Sequence, residues 1–359
     1  MFRIFSPAVR RSVALLAGVL GTASCNSDSS TEPTTVAAAD SVSLPATASP
    51  AETPDSTALA DSLTAVDGVT PAYALYGSTG VPYGPMGLWA GTSLEWGPAP
   101  FTLSHDNTFA NSIVARISAA RQKRQRLVLA MTGGPSSNFK TDGKFSLTKW
   151  KNRMNTFKTS AIKNAVAAGV SDGTIVGNTL IDEPETKQWG GNITKPLLDQ
   201  MASYVKGIFP TLKVGVNHGA PGYQWRTGER YRVVDYTLNQ YMWQNNGGRI
   251  AAWRDAVISR ARIDGVTPAF SLNLLNGGVP DKSGTWDCTG TGGKGTRDRK
   301  CRMTADQVAS YGKAVGPSGC FMMMWQYDDA FMSKSANVTA FRSVASYLAT
   351  KTRKTCRRT

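Results

Sequence analysis

The chain has 359 residues and a formal net charge of +15. That length suits a tail plus one barrel-sized domain and excludes a single small module. The charge is uneven: three arginines and seven acidic residues fall in the first 70 positions, so the 37 basic and 18 acidic residues that follow carry a net +19. A domain this basic favours an anionic surface or polymer. No compact basic helix or nucleic-acid motif is present, which argues against nucleic acid.

The chain begins with Arg3, Arg10 and Arg11, then the apolar run from Val13 to Leu20, then Thr22-Ala23-Ser24-Cys25. A basic start, a short apolar core and small residues before a cut read as a signal peptide over 1–25. The run is too short for a comfortable membrane span. The small residues before Cys25 resemble a bacterial lipobox, although Thr22 stands where Leu is usual, so lipidation of Cys25 is expected and plain secretion is the alternative. An exported protein would meet acidic polysaccharide, lipopolysaccharide or an anionic membrane; the surplus charge could also serve solubility alone.

Residues 26–70 are rich in Ser, Thr, Ala, Pro and Asp, without aromatics, Lys or Arg. Such a stretch cannot bury enough apolar surface to offset its ordering entropy, and it reads as a disordered stalk. The remainder, 71–359, reads as one domain, expected to act as a monomer.

Strands and helices alternate through that domain. Met86 to Ala90 reads as a strand and Asn107 to Gln122 as a helix with a basic far end, as the helix dipole favours. Leu127 to Met131 is a strand followed by Thr132-Gly133-Gly134-Pro135. Ser146 caps a helix whose apolar residues run from Leu147 to Ala165, with Gly169 ending it. Thr174 to Glu185 (TIVGNTLIDEPE) follows. Its residues Ile175, Val176, Leu180 and Ile181 suit a strand buried on both faces, and Pro184 stops it. Pro196 starts the next helix.

Strands over Lys213–Asn217, Val233–Gln240, Pro268–Asn273 and Cys320–Trp325 complete seven. Helices are expected over Ile250–Ile263, from the Thr304/Gln307 capping box to Val315, and over Ala336–Leu348. An eighth strand is sought at Ala72–Leu75 or between Gly222 and Arg232. The alternation predicts an α/β fold, a (β/α)8-type TIM barrel with right-handed crossovers. An open doubly wound sheet is the alternative, but no Gly-x-Gly-x-x-Gly or Walker loop supports it. Setting Cys25 aside, three pairings of the other four cysteines are possible; the one favoured is Cys288–Cys301, closing a Gly-rich loop, with Cys320–Cys356, whose two cysteines would meet at the barrel's lower end.

Parallel strands bring their carboxyl ends to one face. That face would gather Trp89, Asp182, Glu183, His218, Asn239, Gln240, Tyr241, Asn273, Trp325, Gln326, Asp328 and Asp329. Aromatic planes stack on pyranose faces, amides read hydroxyls, and carboxylates do acid–base work. Asp182 and Glu183 could also merely cap the next element. No single residue here is decisive; their concentration is the signal. No cofactor or metal is expected, since one His without a partner spacing makes a poor metal site.

The set resembles the TIM-barrel glycoside hydrolase superfamily. Many of its families end a strand in Asn-Glu-Pro, with the Glu as general acid/base; here Asp182-Glu183-Pro184 stands in that place. An adjacent Asp–Glu pair is similar to hexosaminidases that use substrate-assisted catalysis. The end Met322-Met323-Met324-Trp325 with Asp328 resembles the last strand of chitinase-type barrels, where Trp floors a sugar subsite. Two departures stand out. The penultimate strand ends Ser271-Leu272-Asn273 without a carboxylate, and the full chitinase Asp-x-x-Asp-x-Asp-x-Glu run is absent.

The resemblance therefore implies an exported glycoside hydrolase acting on a polysaccharide or amino-sugar glycan. Glu183 would be its acid/base, Asp182 or Asp328 its second carboxylate, and the aromatics and amides its sugar contacts. The alternative is a lipid-anchored glycan-binding protein that has lost catalysis. A different hydrolase is disfavoured, because neither a Gly-x-Ser-x-Gly elbow nor a cluster of His ligands appears.

Overall fold

The computed structural model describes residues 80–359 except 88–100, 192, 219–228, 243–247, 276–287, 290–299 and 326. Eight strands form one parallel sheet: β1 Tyr83–Pro85, β2 Leu103–Asn107, β3 Arg126–Ala130, β4 Ile175–Asp182, β5 Val214–His218, β6 Tyr236–Tyr241, β7 Thr267–Asn273 and β8 Met322–Trp325. The order is β1-β8-β7-β6-β5-β4-β3-β2. The two edges meet through a parallel bridge between Met86 and His105. Hydrogen bonds from Thr102 N–H to the Tyr83 carbonyl (2.9 Å) and from Gly87 N–H to the His105 carbonyl (2.6 Å) complete the seam. The sheet therefore closes as the expected (β/α)8-type barrel.

The helices are α1 Ile113–Gln122, α2 Leu147–Asn155, α3 Ser160–Ser171, α4 Lys195–Ile208, α5 Ile250–Asp264, α6 Ala305–Val315, the single turn α7 Asp329–Met332, and α8 Ser335–Ala349. Side-chain oxygens of Ser146, Thr159, Thr194 and Thr304 cap α2, α3, α4 and α6, and Thr304/Gln307 form the full capping box.

Four expectations change. The first strand is Tyr83–Pro85 rather than Met86–Ala90: Met86 forms only an isolated bridge to His105, Gly87 is in a turn, and 88–90 lie outside the described residues. The eighth strand is Leu103–Asn107; of the segments where it was sought, Ala72–Leu75 and 222–228 lie outside the described residues, and 229–232 is not in a strand. Asn107 consequently ends a strand, and α1 begins only at Ile113. The long helix after Ser146 is two, broken around Phe157, and Gly169 lies buried within α3 rather than ending it. A Cβ on Gly169 would stand 2.7 Å from Ile175 of β4, so this glycine sets how closely helix and strand approach.

The barrel interior holds Leu103, Val128, Val176, Tyr236, Leu238, Phe321 and Met323. Two larger clusters lie between the sheet and its helices, and Ile175, Leu180 and Ile181 belong to one of them. β4 is thus buried on both faces from Ile175 to Ile181, as its apolar run requires, and only Asp182 at its end is exposed. Below the mouth, the Tyr236 ring fills the barrel; a Cβ on Gly215 would come within 2.1 Å of it.

The C-terminal tail closes the underside. Cys356 is disulfide-bonded to Cys320, just before β8. Thr267, the first residue of β7, donates a hydroxyl hydrogen bond to the Arg357 carbonyl (2.6 Å). Arg358 donates to the Val234 carbonyl (3.1 Å). Cys301 is also disulfide-bonded, and it stands opposite Cys288 in a two-residue antiparallel ladder. Among the described residues, no helix is long and apolar enough to cross a membrane.

Candidate active site

A cavity of about 260 Å³ opens at the carboxyl ends of β1 to β4 and β8. Its wall includes Met86, His105, Thr132, Gly133, Asp182 and Trp325. The acidic end of β4 and the aromatic end of β8 thus share one recess. Glu183 is not among its lining residues; it stands at the next position of the chain, half-buried.

The β4 terminus is held in an unusual backbone shape. Glu183 has φ +44°, a left-handed conformation rare for a residue with a Cβ. Its amide donates to the Asn217 carbonyl (2.9 Å), and its carbonyl accepts from the Thr186 hydroxyl (2.8 Å). The Trp189 indole N–H donates to the Asp182 carbonyl (2.8 Å). These bonds over-determine a conformation that would otherwise relax, a pattern that clusters at functional sites.

The carboxylates differ in their surroundings. Asp182 accepts a hydrogen bond from the Asn217 side-chain amide. The residue is exposed at the cavity, yet protein atoms crowd its carboxyl, and that desolvation pushes its pKa up. The Asn217 bond opposes the rise and the charge of Glu185 adds to it. Burial, followed by the charges of Asp182 and Glu185, lifts Glu183 to about 7. Glu183 is thereby poised to hold and to release a proton near neutrality, which suits a group that gives and takes one.

Behind this pair lies a buried contact missed in the sequence. His218 Nδ1 is 3.2 Å from Glu185 Oε2, and its Nε2 is 3.0 Å from the Tyr231 hydroxyl. His218 shares the outward face of β5 with Val214 and Val216, so it holds Glu185 rather than the mouth. The loop after β3 is clamped from α2: the Trp150 indole donates to Thr132 Oγ1 (2.8 Å), and Arg153 donates to the Met131 and Gly133 carbonyls (3.3 and 3.2 Å). A Cβ on Gly133 would meet Asn107 at 2.7 Å, so only glycine lets the loop line the cavity here.

His105 was also missed. It is 8 % exposed and lines the cavity. Its Nε2 has no hydrogen-bond partner among the described residues. Burial lowers its pKa to about 4, against a weaker opposing hydrogen bond with its own backbone, so the ring is neutral at physiological pH. Its strand, LSHDN, lacks the apolar run that marked the others.

The remaining expected residues divide by strand face. Gln240 and Asn273 share the inward face, and the Asn273 amide reaches Gln240 Oε1 at 3.5 Å. Asn239 and Tyr241 point the other way, which corrects their assignment to the mouth. Asn239 donates to the Thr237 carbonyl (3.0 Å), while Tyr241 packs edge-on against Trp253 of α5 and Tyr311 of α6. Asp328 caps α7, its Oδ1 accepting from Phe331 N–H (2.7 Å), and Asp329 accepts from the Tyr327 hydroxyl (3.1 Å). Asp328's capping bond ties that carboxylate to the fold. Trp89, Gln326 and Cys25 lie outside the described residues. Among the described residues, no group of three or more His, Cys, Asp or Glu could hold a metal ion.

No protein-family model matches the chain, and no curated protein matches it. Solved structures match in fold. A GH113 β-1,4-mannanase aligns over 77 % of this chain and 100 % of its own, with a TM-score of 0.48 and 10 % identity. A thermostable mutant of a xylanase from Cellvibrio japonicus aligns over 76 % and 99 %, with a TM-score of 0.47 and 10 % identity. Endo-glycoceramidase II from Rhodococcus sp. aligns over 69 % and 73 %, with a TM-score of 0.42 and 10 % identity.

Proposed function

We propose that the protein is an exported glycoside hydrolase that cleaves a polysaccharide or amino-sugar glycan at the cavity between β4 and β8. The observation that carries this reading is the β4 terminus. Glu183 is locked in a strained conformation, beside Asp182, with its proton held up to about pH 7. A carboxylic acid kept protonated near neutrality can protonate a departing glycosidic oxygen. Asp182, whose side chain is oriented by Asn217, faces the recess and would orient the reacting sugar or take its charge. Trp325 supplies an aromatic surface on the same wall. His105 Nε2, buried and unbonded among the described residues, would accept a sugar hydroxyl.

Lipidation of Cys25 and tethering by the 26–70 stalk belong to the same proposal, and place the enzyme at the bacterial envelope as a monomer acting on carbohydrate. The test is Glu183→Gln assayed by polysaccharide release across a glycan panel. Turnover should fall at least about a hundredfold while glycan binding persists. Near-normal turnover in the variant would remove Glu183 from the chemistry. Binding without release in the wild type would favour the glycan-binding alternative, for which Asn273 at the end of β7 is the supporting feature.

A further inference from the structure

The underside of the barrel, opposite the cavity, is strongly cationic. The turn from α1 into β3 brings Arg121, Lys123, Arg124 and Arg126 to the amino ends of the strands. The C-terminal tail adds Arg353, Lys354 and Arg357 to the same end. Lys354 donates to the Ser318 carbonyl before β8 (2.9 Å), and Arg357 bonds Thr267 through its backbone. The two segments meet at Gly173, just before β4. Arg126 donates to its carbonyl (2.6 Å), and a Cβ there would lie 3.0 Å from Arg126 Nη1 and 3.9 Å from Arg353 Nη1. Two guanidinium groups are therefore held side by side. Burial first, then the Arg353 charge, pull the Arg126 pKa down to about 10. The nearby carboxylate of Asp172 pairs with Arg121 at 2.6 Å. Lys123, Arg124, Lys354 and Arg357 are exposed.

We infer that this face, through Lys123, Arg124, Arg126, Arg353, Lys354 and Arg357, docks on an anionic phospholipid surface and turns the cavity away from it. Like charges gathered on one face repel one another, and a layer of phosphate headgroups relieves that repulsion. The entry point of the chain argues for a membrane. Gly80 packs on the backbone of Ala349, and Val81 N–H donates to the Leu348 carbonyl (3.1 Å), so the barrel is entered beside the tail. The choice of a membrane rests on the lipid anchor of the proposed function, because the described chain begins at this cationic face. The seven acidic residues of the N-terminal segment are spread from Asp28 to Asp67, too sparse to match a lipid surface in charge density.

The test uses the full chain carrying Cys25→Ser, so that no acyl anchor contributes. It is sedimented with vesicles of phosphatidylcholine alone or with about 30 % phosphatidylglycerol. Binding is expected only to the anionic vesicles and should be lost in about 0.5 M salt, where screening shortens to a few ångströms. The triple change Lys123→Glu, Arg124→Glu, Arg357→Glu should weaken it at least about tenfold. Lys144→Glu, Lys163→Glu, Lys187→Glu, an equal change of charge outside this face, should weaken it by less than about threefold. Equal losses in both triples, or no binding to anionic vesicles, would overturn the inference. So would binding to soluble polygalacturonate without binding to vesicles, which would assign the face to acidic polysaccharide. None of these readings depends on whether Glu183 is catalytic.

Discussion

At the scale of the residue, Glu183 concentrates the problem: a charged side chain in a left-handed backbone at the end of a buried strand. Its raised pKa has two consequences with opposite uses. As a proton donor it must be protonated, so the alkaline limb of the activity profile should fall with a midpoint near pH 7. For stability, the folded state binds the proton more tightly than the unfolded chain does. The favourable contribution is complete below about pH 4.5 and is lost as pH rises through about 7. Glu183→Gln keeps the neutral form at every pH. It should therefore gain melting temperature over wild type at pH 8 and gain nothing at pH 4. An equal difference at both values would mean that the carboxyl is not perturbed.

His105 obeys the reverse sign. Its pKa is lowered to about 4, so its contribution is complete above about pH 6.5 and is lost as pH falls through about 4. His105→Phe keeps a ring in the cavity wall but removes the acceptor at Nε2. If that nitrogen binds a sugar hydroxyl, KM should rise about tenfold with kcat changed less, because a lost neutral hydrogen bond is worth roughly 1 kcal/mol and an unpaired group more. A fall in kcat alone would place His105 in a different role.

At the scale of the element, six of the strands read from the sequence are those with continuous apolar runs; the first lies at Tyr83–Pro85, ahead of the apolar run Met86–Ala90 that suggested it. The eighth, LSHDN, was hidden because it forms the seam and carries His105 and Asn107 to the cavity. Functional polarity erased the pattern that reveals strands elsewhere. The face assignments failed for a different reason. On a strand buried on both sides, inward and outward residues are equally apolar, so alternation gives no phase. Hence Gln240 faces inward with Leu238, while its neighbours Asn239 and Tyr241 face the helices. Asp182 was legible because an abrupt carboxylate at the end of an apolar run needs no phase.

The disulfide between Cys320 and Cys356 fastens the tail across 36 residues of sequence. Closing a loop of that length limits the unfolded chain by about 3–4 kcal/mol in the entropic account. The double variant Cys320→Ala, Cys356→Ala should lose about 2–4 kcal/mol in urea unfolding. In the barrel, Gly215→Ala drives a methyl into the Tyr236 ring and should lose about 1–3 kcal/mol. A neutral Gly215→Ala would show that the ring can move aside.

At the scale of the molecule, the barrel is unevenly closed. Among the described residues, β6 and β7 pair over six positions, whereas β1 pairs with β8 over three and meets β2 through one bridge. The weakest junction is also one wall of the cavity, since Met86, Gly87, His105 and Asn107 line it. Sites that must admit a ligand are drawn from the less stable parts of a fold. Amide hydrogen exchange followed by mass spectrometry should therefore find peptides covering 81–87 and 101–107 exchanging faster than those covering 236–241 and 267–273. A glycan seated against His105 and Trp325 would bridge the β1–β2 seam to β8, slowing the first pair and leaving the second unchanged. Uniform exchange around the barrel would mean that closure is equally firm everywhere. Protection confined to the β6–β7 side would move the ligand to the inward amides Gln240 and Asn273.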